Sequence, residues 1–219
     1  MKLKTLMLVS FFAIFAVSCN ESVLQPEDSP TATLKAAVIG QNYFVANTGS
    51  NNNPGTEALP FQTIAYAASL ANPGDVVTVE NGTYTVSAGQ LFATFSRSGT
   101  SSAYITYKAR NIGGAILDGQ NNSALRGFNV SGSYINVEGF EMKGVSERFF
   151  VVTGSYINIR DINAHHNAKY CTDTTDGLSF ASVPSPANNV LFERCLIHDI
   201  GRVLWVRPFS TSAHLCCHI

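Results

Sequence analysis

The sequence predicts an all-β fold, a right-handed parallel β-helix that opens with a short capping helix. The main observation is a repeat: residues 128–137 and 150–159 read FNVSGSYINV and FVVTGSYINI, so the same phrase returns after 22 positions. A period of this length in a chain rich in Val, Ile, Gly and Asn is typical of stacked coils. Apolar–polar–apolar triplets flank a Gly-Ser corner, and such triplets predict short strands with two side chains inward and one outward.

Three short strands and three corners make one turn of the predicted helix. The triplets are Phe128–Val130, Ile135–Val137, Phe140–Met142, Ile162–Ala164, Leu178–Phe180, Val190–Phe192 and Cys195–Ile197, with weaker ones upstream at Ile105–Tyr107 and Ala115–Leu117. In this register Asn136 stacks on Asn158, and Glu138, Arg160 and Glu193 alternate in sign along one corner. We interpret the charged column as a surface ion-pair ladder rather than as a binding site.

The segment before the first coil predicts the capping helix. Pro60 suits a first helical turn, and Asn72–Asp75 supplies the stop after the helix. One apolar stripe at helical spacing consists of Phe61, Ile64, Ala65, Ala68 and Ala71. Because a stack of coils ends in exposed strand edges over an apolar core, we expect this helix to have a structural role, covering that end.

The N-terminus predicts export. Residues 1–18 combine Lys2 and Lys4 with an apolar run that is too short to span a membrane stably, as in a signal peptide. Small residues before Cys19 resemble a bacterial lipobox, which implies lipid attachment at Cys19; the alternative is an ordinary secretory signal. Residues 19–41 predict a flexible polar tether. We therefore expect an exported lipoprotein at the outer membrane or cell surface.

The composition and net charge of the chain limit the classes of partner that it can bind. The net charge is −1 and only 13% of residues are charged, so no basic surface predicts nucleic-acid binding. A preference for acidic sugars would have to come from a local patch. Export permits disulfides, and the sequence leaves open whether Cys171 and Cys195 form a bridge or Cys195 is a buried thiol.

Residues 42–86 resemble the opening of secreted, pectate-lyase-like right-handed β-helix proteins. The resemblance rests on the strand Tyr43–Val45, an Asn-Pro-Gly-Thr turn at 53–56, the helix, and the strand Val76–Val79 with the Asn-Gly-Thr-Tyr that follows. With the coils it covers residues 42–203. It implies a polysaccharide lyase acting on an acidic polysaccharide such as pectate, alginate or chondroitin, and Ca²⁺ as a cofactor.

Catalytic residues are harder to find. Such lyases need a base that removes the proton beside a uronate carboxylate and a cation that neutralises this carboxylate. No catalytic motif of the family transfers to this chain. The strongest cluster gives the catalytic candidates His165, His166, Lys169, His198 and Arg202, with Asp199 beside them, and the metal candidates Asp173 and Asp176. The register stacks His165 near His198 and His166 near Asp199. The alternative is that these are corner residues bonding to backbone groups.

Residues 204–219 lack the strand triplets and corner glycines, and we predict an atypical tail there. Because the relatives that the chain resembles continue for further coils, we expect an incomplete member without typical lyase activity. The second interpretation is a non-catalytic β-helix lipoprotein that binds glycan or serves as a scaffold. Tyr134 and Tyr156 share a column, which fits either a sugar-binding row or a structural ladder.

Overall fold

The computed structural model describes residues 40–167 and 180–200 and the backbone of 213–218. Within these residues, the fold consists of one short helix and fifteen strands. The elements are β1 (Asn42–Val45), α1 (Ile64–Leu70), β2 (Val76–Val79), β3 (Gly82–Tyr84), β4 (Leu91–Phe95), β5 (Ile105–Ala109), β6 (Ala115–Asp118), β7 (Arg126–Val130), β8 (Ile135–Glu138), β9 (Phe140–Lys143), β10 (Phe150–Val152), β11 (Ile157–Arg160), β12 (Asn163–His165), β13 (Ala181–Ser182), β14 (Val190–His198) and β15 (Ala213–His218). The predicted all-β parallel β-helix with an N-terminal capping helix is confirmed.

The strands stack in parallel on three faces. The first face contains β1, β2, β5, β8, β11 and the start of β14; the second contains β3, β6, β9, β12 and the end of β14; the third contains β4, β7, β10 and β13. The long strand β14 passes from the first face to the second through Arg194, whose φ is 52°. Ile135 pairs with Ile157 and Val137 with Ile159, as the repeat predicts.

The inward side chains form one continuous apolar core. Phe128, Phe140, Phe150, Phe180 and Phe192 are at most 1% exposed. Their rings meet at angles, with centroids 5.4 Å apart for Phe128 and Phe140 and 5.3 Å apart for Phe180 and Phe192. Such aromatic pairs add about 0.5–1.5 kcal/mol each beyond the burial of their area. Each coil therefore stabilises the coil stacked on it.

Outward side chains of the first face form the two predicted columns. The Asn158 amide donates to Asn136 Oδ1 at 2.9 Å, and the Asn136 amide donates to Thr106 Oγ1 at 3.1 Å. Arg160 lies 3.7 Å from Glu138 and 2.9 Å from Glu193. The ion-pair ladder is therefore confirmed, and these charges already have partners within the chain.

The capping helix begins later than Pro60 predicts. Thr63 is its N-cap residue and accepts from the backbone N–H of Tyr66 at 3.2 Å. The helix starts late because Asn51 Oδ1 accepts from the backbone N–H groups of Gln62 and Thr63, which keeps this stretch out of the helix. The helix packs against β4.

The inner face of the helix also differs from the predicted stripe. Ile64, Ala67 and Ala68 are buried, whereas Ala65 is exposed. Including Ala65 was therefore wrong, because the seven-residue helix turns a narrower side toward the coils than the predicted stripe covers.

The predicted strand Leu178–Phe180 is displaced along the chain. The strand on the third face is β13, where Ala181 pairs with Phe150. Phe180 precedes it, buried in the core, and its carbonyl accepts from the Phe150 backbone N–H at 3.0 Å. Residue 178 lies outside the described residues. The parallel stack also extends beyond residue 203, because β15 pairs with β14 in parallel.

Candidate active site

The histidine cluster lies at the end of the second face, where each strand runs into the next corner. Strand pairing aligns Asp118 with Lys143, Lys143 with His165, and His165 with His198. These four side chains form one outward column, because strand residues alternate between the core and the surface. The inward neighbours on β9 and β12, Met142 and Ala164, are fully buried.

The predicted stacking of the histidines is confirmed. The rings of His165 and His198 are nearly parallel, at 11°, with centroids 4.9 Å apart. The His166 backbone N–H donates to the Asp199 carbonyl at 3.0 Å, so the predicted neighbourhood of these two residues is also correct. Both His166 and Asp199 adopt left-handed backbone conformations, with φ of 52° and 50°.

The left-handed conformation of His166 brings two consecutive imidazoles together. In a continued strand, His165 and His166 would point to opposite sides of the sheet. Instead their rings meet at 77° with centroids 4.8 Å apart, and their Nδ1 atoms form a hydrogen bond. The backbone turn therefore converts neighbours in sequence into partners in space.

Glu141 fixes the tautomers of this pair. His165 Nε2 lies 3.2 Å from Glu141 Oε1, and a carboxylate accepts, so Nε2 carries the proton. His165 Nδ1 then has a lone pair and accepts from the Nδ1–H of His166. This leaves His166 Nε2 as an acceptor. The result is a Glu141–His165–His166 chain that ends in a basic nitrogen on an exposed residue.

His198 has a different pair of partners. Its Nδ1 lies 2.8 Å from Asp199 Oδ2, and its Nε2 lies 3.2 Å from Asn163 Oδ1. The hydrogen bond from His198 lowers the pKa of the Asp199 carboxyl. With both ring nitrogens engaged, His198 is better placed to hold neighbouring groups than to receive a proton from a ligand.

Burial favours the neutral form of His165. Its side chain is only 12% exposed, and desolvation lowers its pKa, although the hydrogen bond to Glu141 acts in the opposite direction. The nearby His166 and His198 lower it further. Only a neutral His165 has a lone pair on Nδ1 that can accept the hydrogen bond from His166, so the lowered pKa and the hydrogen-bond pattern agree.

Sequence reasoning missed Glu141 and Asn163, which orient the histidines. Both are the outward members of predicted triplets, and their neighbouring position on β9 and β12 was the available signal. The candidates Lys169, Asp173, Asp176 and Arg202 lie outside the described residues, as do Cys171 and the proposed lipid site Cys19. Cys195 is buried, as expected of its strand position, and the question of its bridge to Cys171 stays open.

The described carboxylates around this cluster are not arranged to bind a calcium ion. Across 40–167 and 180–200, no group of three or more His, Cys, Asp or Glu side chains is arranged as a metal site. Nearby acidic groups already meet cations or imidazoles: Asp118 with Lys143, Glu141 with His165, Asp161 with Arg194. The bidentate hydrogen bond from Arg194 lowers the pKa of Asp161. Within the same residues, no helix is long and apolar enough to cross a bilayer.

Comparison with known proteins gives a consistent result. The family model described as "Pel9A-like, right handed beta helix region" matches residues 43–199. Pectate lyase L of Dickeya chrysanthemi is 29% identical over 149 residues, which are 64% of this chain and 35% of that protein. The chain thus spans about a third of the length of this curated relative.

Solved structures show the same fold. The structure of pectate lyase Pel9A is 25% identical, with a TM-score of 0.59, over 73% of this chain and 40% of that one. A rhamnogalacturonan lyase is 21% identical, with a TM-score of 0.62, over 80% and 43% of the two chains. At its level of identity the second likeness concerns the fold alone.

Proposed function

Because this chain belongs to the Pel9A-like right-handed β-helix family, we propose that the protein is a lyase that cleaves uronic acid polysaccharides by β-elimination. Its similarity to a pectate lyase in sequence and to another in structure supports this substrate class. The observation that carries the proposal for this chain is the Glu141–His165–His166 chain, which directs a basic nitrogen outward from the β-helix surface.

The reaction assigns a definite role to His166. Its Nε2 removes the C5 proton beside the uronate carboxylate, and the electron pair of that bond forms the C4–C5 double bond. The C4–O glycosidic bond breaks, and the leaving oxygen takes a proton from solvent. Glu141 and His165 position the His166 ring and keep its Nδ1 protonated. A positioned base of this kind typically accelerates such a reaction by about 10²–10⁴-fold.

The uronate carboxylate also needs a positive partner. Lys169 and Arg202 are the proposed cations, and Asp173 and Asp176 are the proposed ligands for Ca²⁺, which would supply the same neutralisation. All four lie outside the described residues. The proton transfer to His166 does not pass through a metal ion.

Lipid anchoring at Cys19 is part of the proposal. A signal sequence over residues 1–18 and the tether 19–41 would place the β-helix outside the cell, where polymeric substrates occur. Changing Cys19 to Ala should move the protein from the membrane fraction to the soluble fraction. A wild-type protein that already fractionates as soluble would contradict the anchor while leaving the chemistry unaffected.

The lyase proposal is tested with pectate, alginate and chondroitin, each with and without calcium. The unsaturated product is followed by its ultraviolet absorbance, and binding by retardation in gels that contain each polymer. His166→Asn is the informative variant, because Asn tolerates the left-handed backbone at this position. Asn189→Gly is the matched control, since Asn189 is an exposed, left-handed residue outside the cluster.

We expect product from at least one polymer at a rate below that typical of such lyases, a loss of about 10²-fold or more in His166→Asn, and no change in the control. Product formation that survives His166→Asn would overturn the assignment of the base. Retardation without product would favour the non-catalytic glycan-binding protein that the sequence also permits. Neither retardation nor product with any polymer would refute both functions.

A further inference from the structure

A second site is an open groove beside the capping helix, on the same side of the coils as His166. Its volume is about 560 Å³. The helix start, the loop that leads into β4, and the turn after β6 border it. Its lining includes Thr85, Ser87, Gln90, Leu91, Phe92 and Gln120. Among the described residues that line the groove, none has a charged side chain.

The polar side chains of the groove are available to a ligand. Thr85, Ser87, Gln90 and Gln120 are exposed. Their hydroxyl and amide groups make no hydrogen bond to any other side chain or backbone group in the described part of the chain. Leu91 is half-buried and contributes apolar surface beside these polar groups, whereas Phe92 is only 4% exposed and contributes little. Hydroxyls and amides beside an apolar patch match the two kinds of surface on an uncharged sugar ring.

A strained turn holds Gln120 in this groove. Gln120, Asn121 and Asn122 have φ of 52°, 61° and 70°, so three consecutive residues other than glycine are left-handed. Runs of this kind are disfavoured for L-residues and persist only where the surroundings enforce them. Here the Asn122 backbone N–H donates to Gly144 O at 2.7 Å, and the Gln120 backbone N–H donates to Asp118 Oδ1 at 2.8 Å.

The same turn is tied to the opposite wall. The Gly89 backbone N–H donates to Ser123 O at 2.8 Å, and the Leu125 backbone N–H donates to Gln90 O at 2.7 Å. Gln90 and Gln120 are therefore held on two connected segments. The backbones of these two residues keep a fixed relation to each other, so a ligand between them has to order only the side chains.

The groove also lies close to the histidine pair. The Gly119 N–H donates to Lys143 O, and the Gly144 N–H donates to His166 O, so Gly119, Gly144 and His166 occupy equivalent positions in successive coils. Two coil spacings place the turn about 10 Å from His166 along the stack. A polymer lying along this corner would reach both.

We propose that this groove binds an uncharged sugar residue of a polysaccharide that contains both uronate and uncharged residues, as chondroitin does, with a uronate at His166. The identity of the polymer rests on the proposed lyase function, but binding in the groove requires no elimination chemistry. The absence of charge in the lining sets the preference. A carboxylate entering the groove would lose water without gaining a cationic partner there, whereas a hydroxyl would find amide and hydroxyl partners.

The test uses two probes that differ only at C6 of each residue, which is a hydroxymethyl group in one and a carboxylate in the other: a linear galactose tetrasaccharide and the galacturonic acid tetrasaccharide of the same linkage. Titration calorimetry measures binding, and saturation-transfer NMR identifies the sugar protons in contact. Gln120→Gly keeps the left-handed backbone and removes the amide; Gln90→Ser is a second variant in case the first is unstable. Asn189→Gly is the control, and thermal unfolding confirms that each variant is folded.

We expect the neutral probe to bind more tightly in the groove than the acidic one, and each glutamine variant to weaken it by roughly fivefold, with no change in the control. No binding of the neutral probe, or binding that both glutamine variants leave unchanged, would overturn the proposal. Tighter binding of the acidic probe that falls in both variants would assign the groove to uronate instead. A failed lyase assay alters none of these titrations, so the two proposals fail separately.

Discussion

The tyrosine column at the corner before the first face provides a test of backbone strain against packing. The rings of Tyr134 and Tyr156 stack at 4.6 Å and 4°, and Tyr104 meets Tyr134 edge-on at 5.5 Å. Tyr134 and Tyr156 have φ of 58° and 61°, a region in which bulky residues are rare. Asn189, one coil further, has φ of 55° with a residue type suited to it. Replacing each tyrosine with Asn therefore relieves strain while removing the ring.

The two substitutions should differ in size. Tyr156 is 42% exposed, so its ring buries roughly 80 Å², worth about 2 kcal/mol, and the stack adds about 1 kcal/mol. Relief of the left-handed backbone strain stabilises the variant by about 1–2 kcal/mol. The net effect of Tyr156→Asn is therefore a destabilisation of about 1.5 kcal/mol. Tyr134 is more deeply buried and contacts two rings, so Tyr134→Asn should cost about 3 kcal/mol. Tyr156→Ala keeps the strain and should cost about 1 kcal/mol more than Tyr156→Asn.

Urea unfolding followed by circular dichroism measures these differences, provided that the slope of the transition is unchanged. The reasoning about strain is refuted if Tyr156→Ala is no less stable than Tyr156→Asn. The reasoning about the ladder is refuted if Tyr134→Asn costs no more than Tyr156→Asn. If both differences in stability are observed, the tyrosine column is a structural ladder in which the Tyr156 ring is held less strongly than the Tyr134 ring.

Three further predictions concern the core, a corner and a titrating group. Ile157→Asp should abolish the folded circular dichroism spectrum, because a buried unpaired charge costs several kcal/mol, whereas a folded Ile157→Asp protein would contradict the assigned core. Gly154→Ala should lower the free energy of unfolding by about 1–3 kcal/mol, since the new Cβ would lie 1.8 Å from the Gly132 carbonyl oxygen; an unchanged urea midpoint would disprove this close approach. Because the pKa of His165 lies below its ordinary 6.5, the unfolded chain takes up a proton first as the pH falls below that value, and stability should decline there. His165→Gln should flatten this decline in melting temperature, and an equal slope in the variant would exclude His165 as its source.

The fold could be predicted because the repeat fixes its own register. Ile135 and Ile157 are the same residue type at equivalent positions of the repeat. Shifting the register by one residue would turn both side chains toward solvent. The stacking of His165 on His198 followed from that register alone. Local sequence rules predicted the helix start less well, because a side chain from a distant segment binds the backbone there. Pro60 is a good first helical residue, yet Asn51 binds the backbone just after it and delays the helix to Ile64.

The sites were less predictable because their parts come from separate segments. Glu141 and His165 lie on two neighbouring strands and are 24 residues apart in sequence, so neither residue indicates the other by its local spacing. The groove combines Gln90 from one coil with Gln120 from the next, and only the folded turn makes them neighbours. Single polar residues in these loops look like ordinary turn formers in the sequence.

Equivalent positions of successive coils carry different residue types at the corner where the proposed base lies. Gly144, His166 and Asp199 follow one another up the same corner, and all three are left-handed, with φ of 66°, 52° and 50°. Glycine adopts this conformation without steric cost, whereas a histidine there costs of order 1 kcal/mol. Gly144 adopts the left-handed backbone at this corner without strain. His166 adopts the same backbone with strain, and its ring therefore pairs with His165 and directs a basic nitrogen outward. Left-handed residues also occur in the tyrosine column, so a role of His166 in chemistry is supported by its outward basic nitrogen and not by the strain alone.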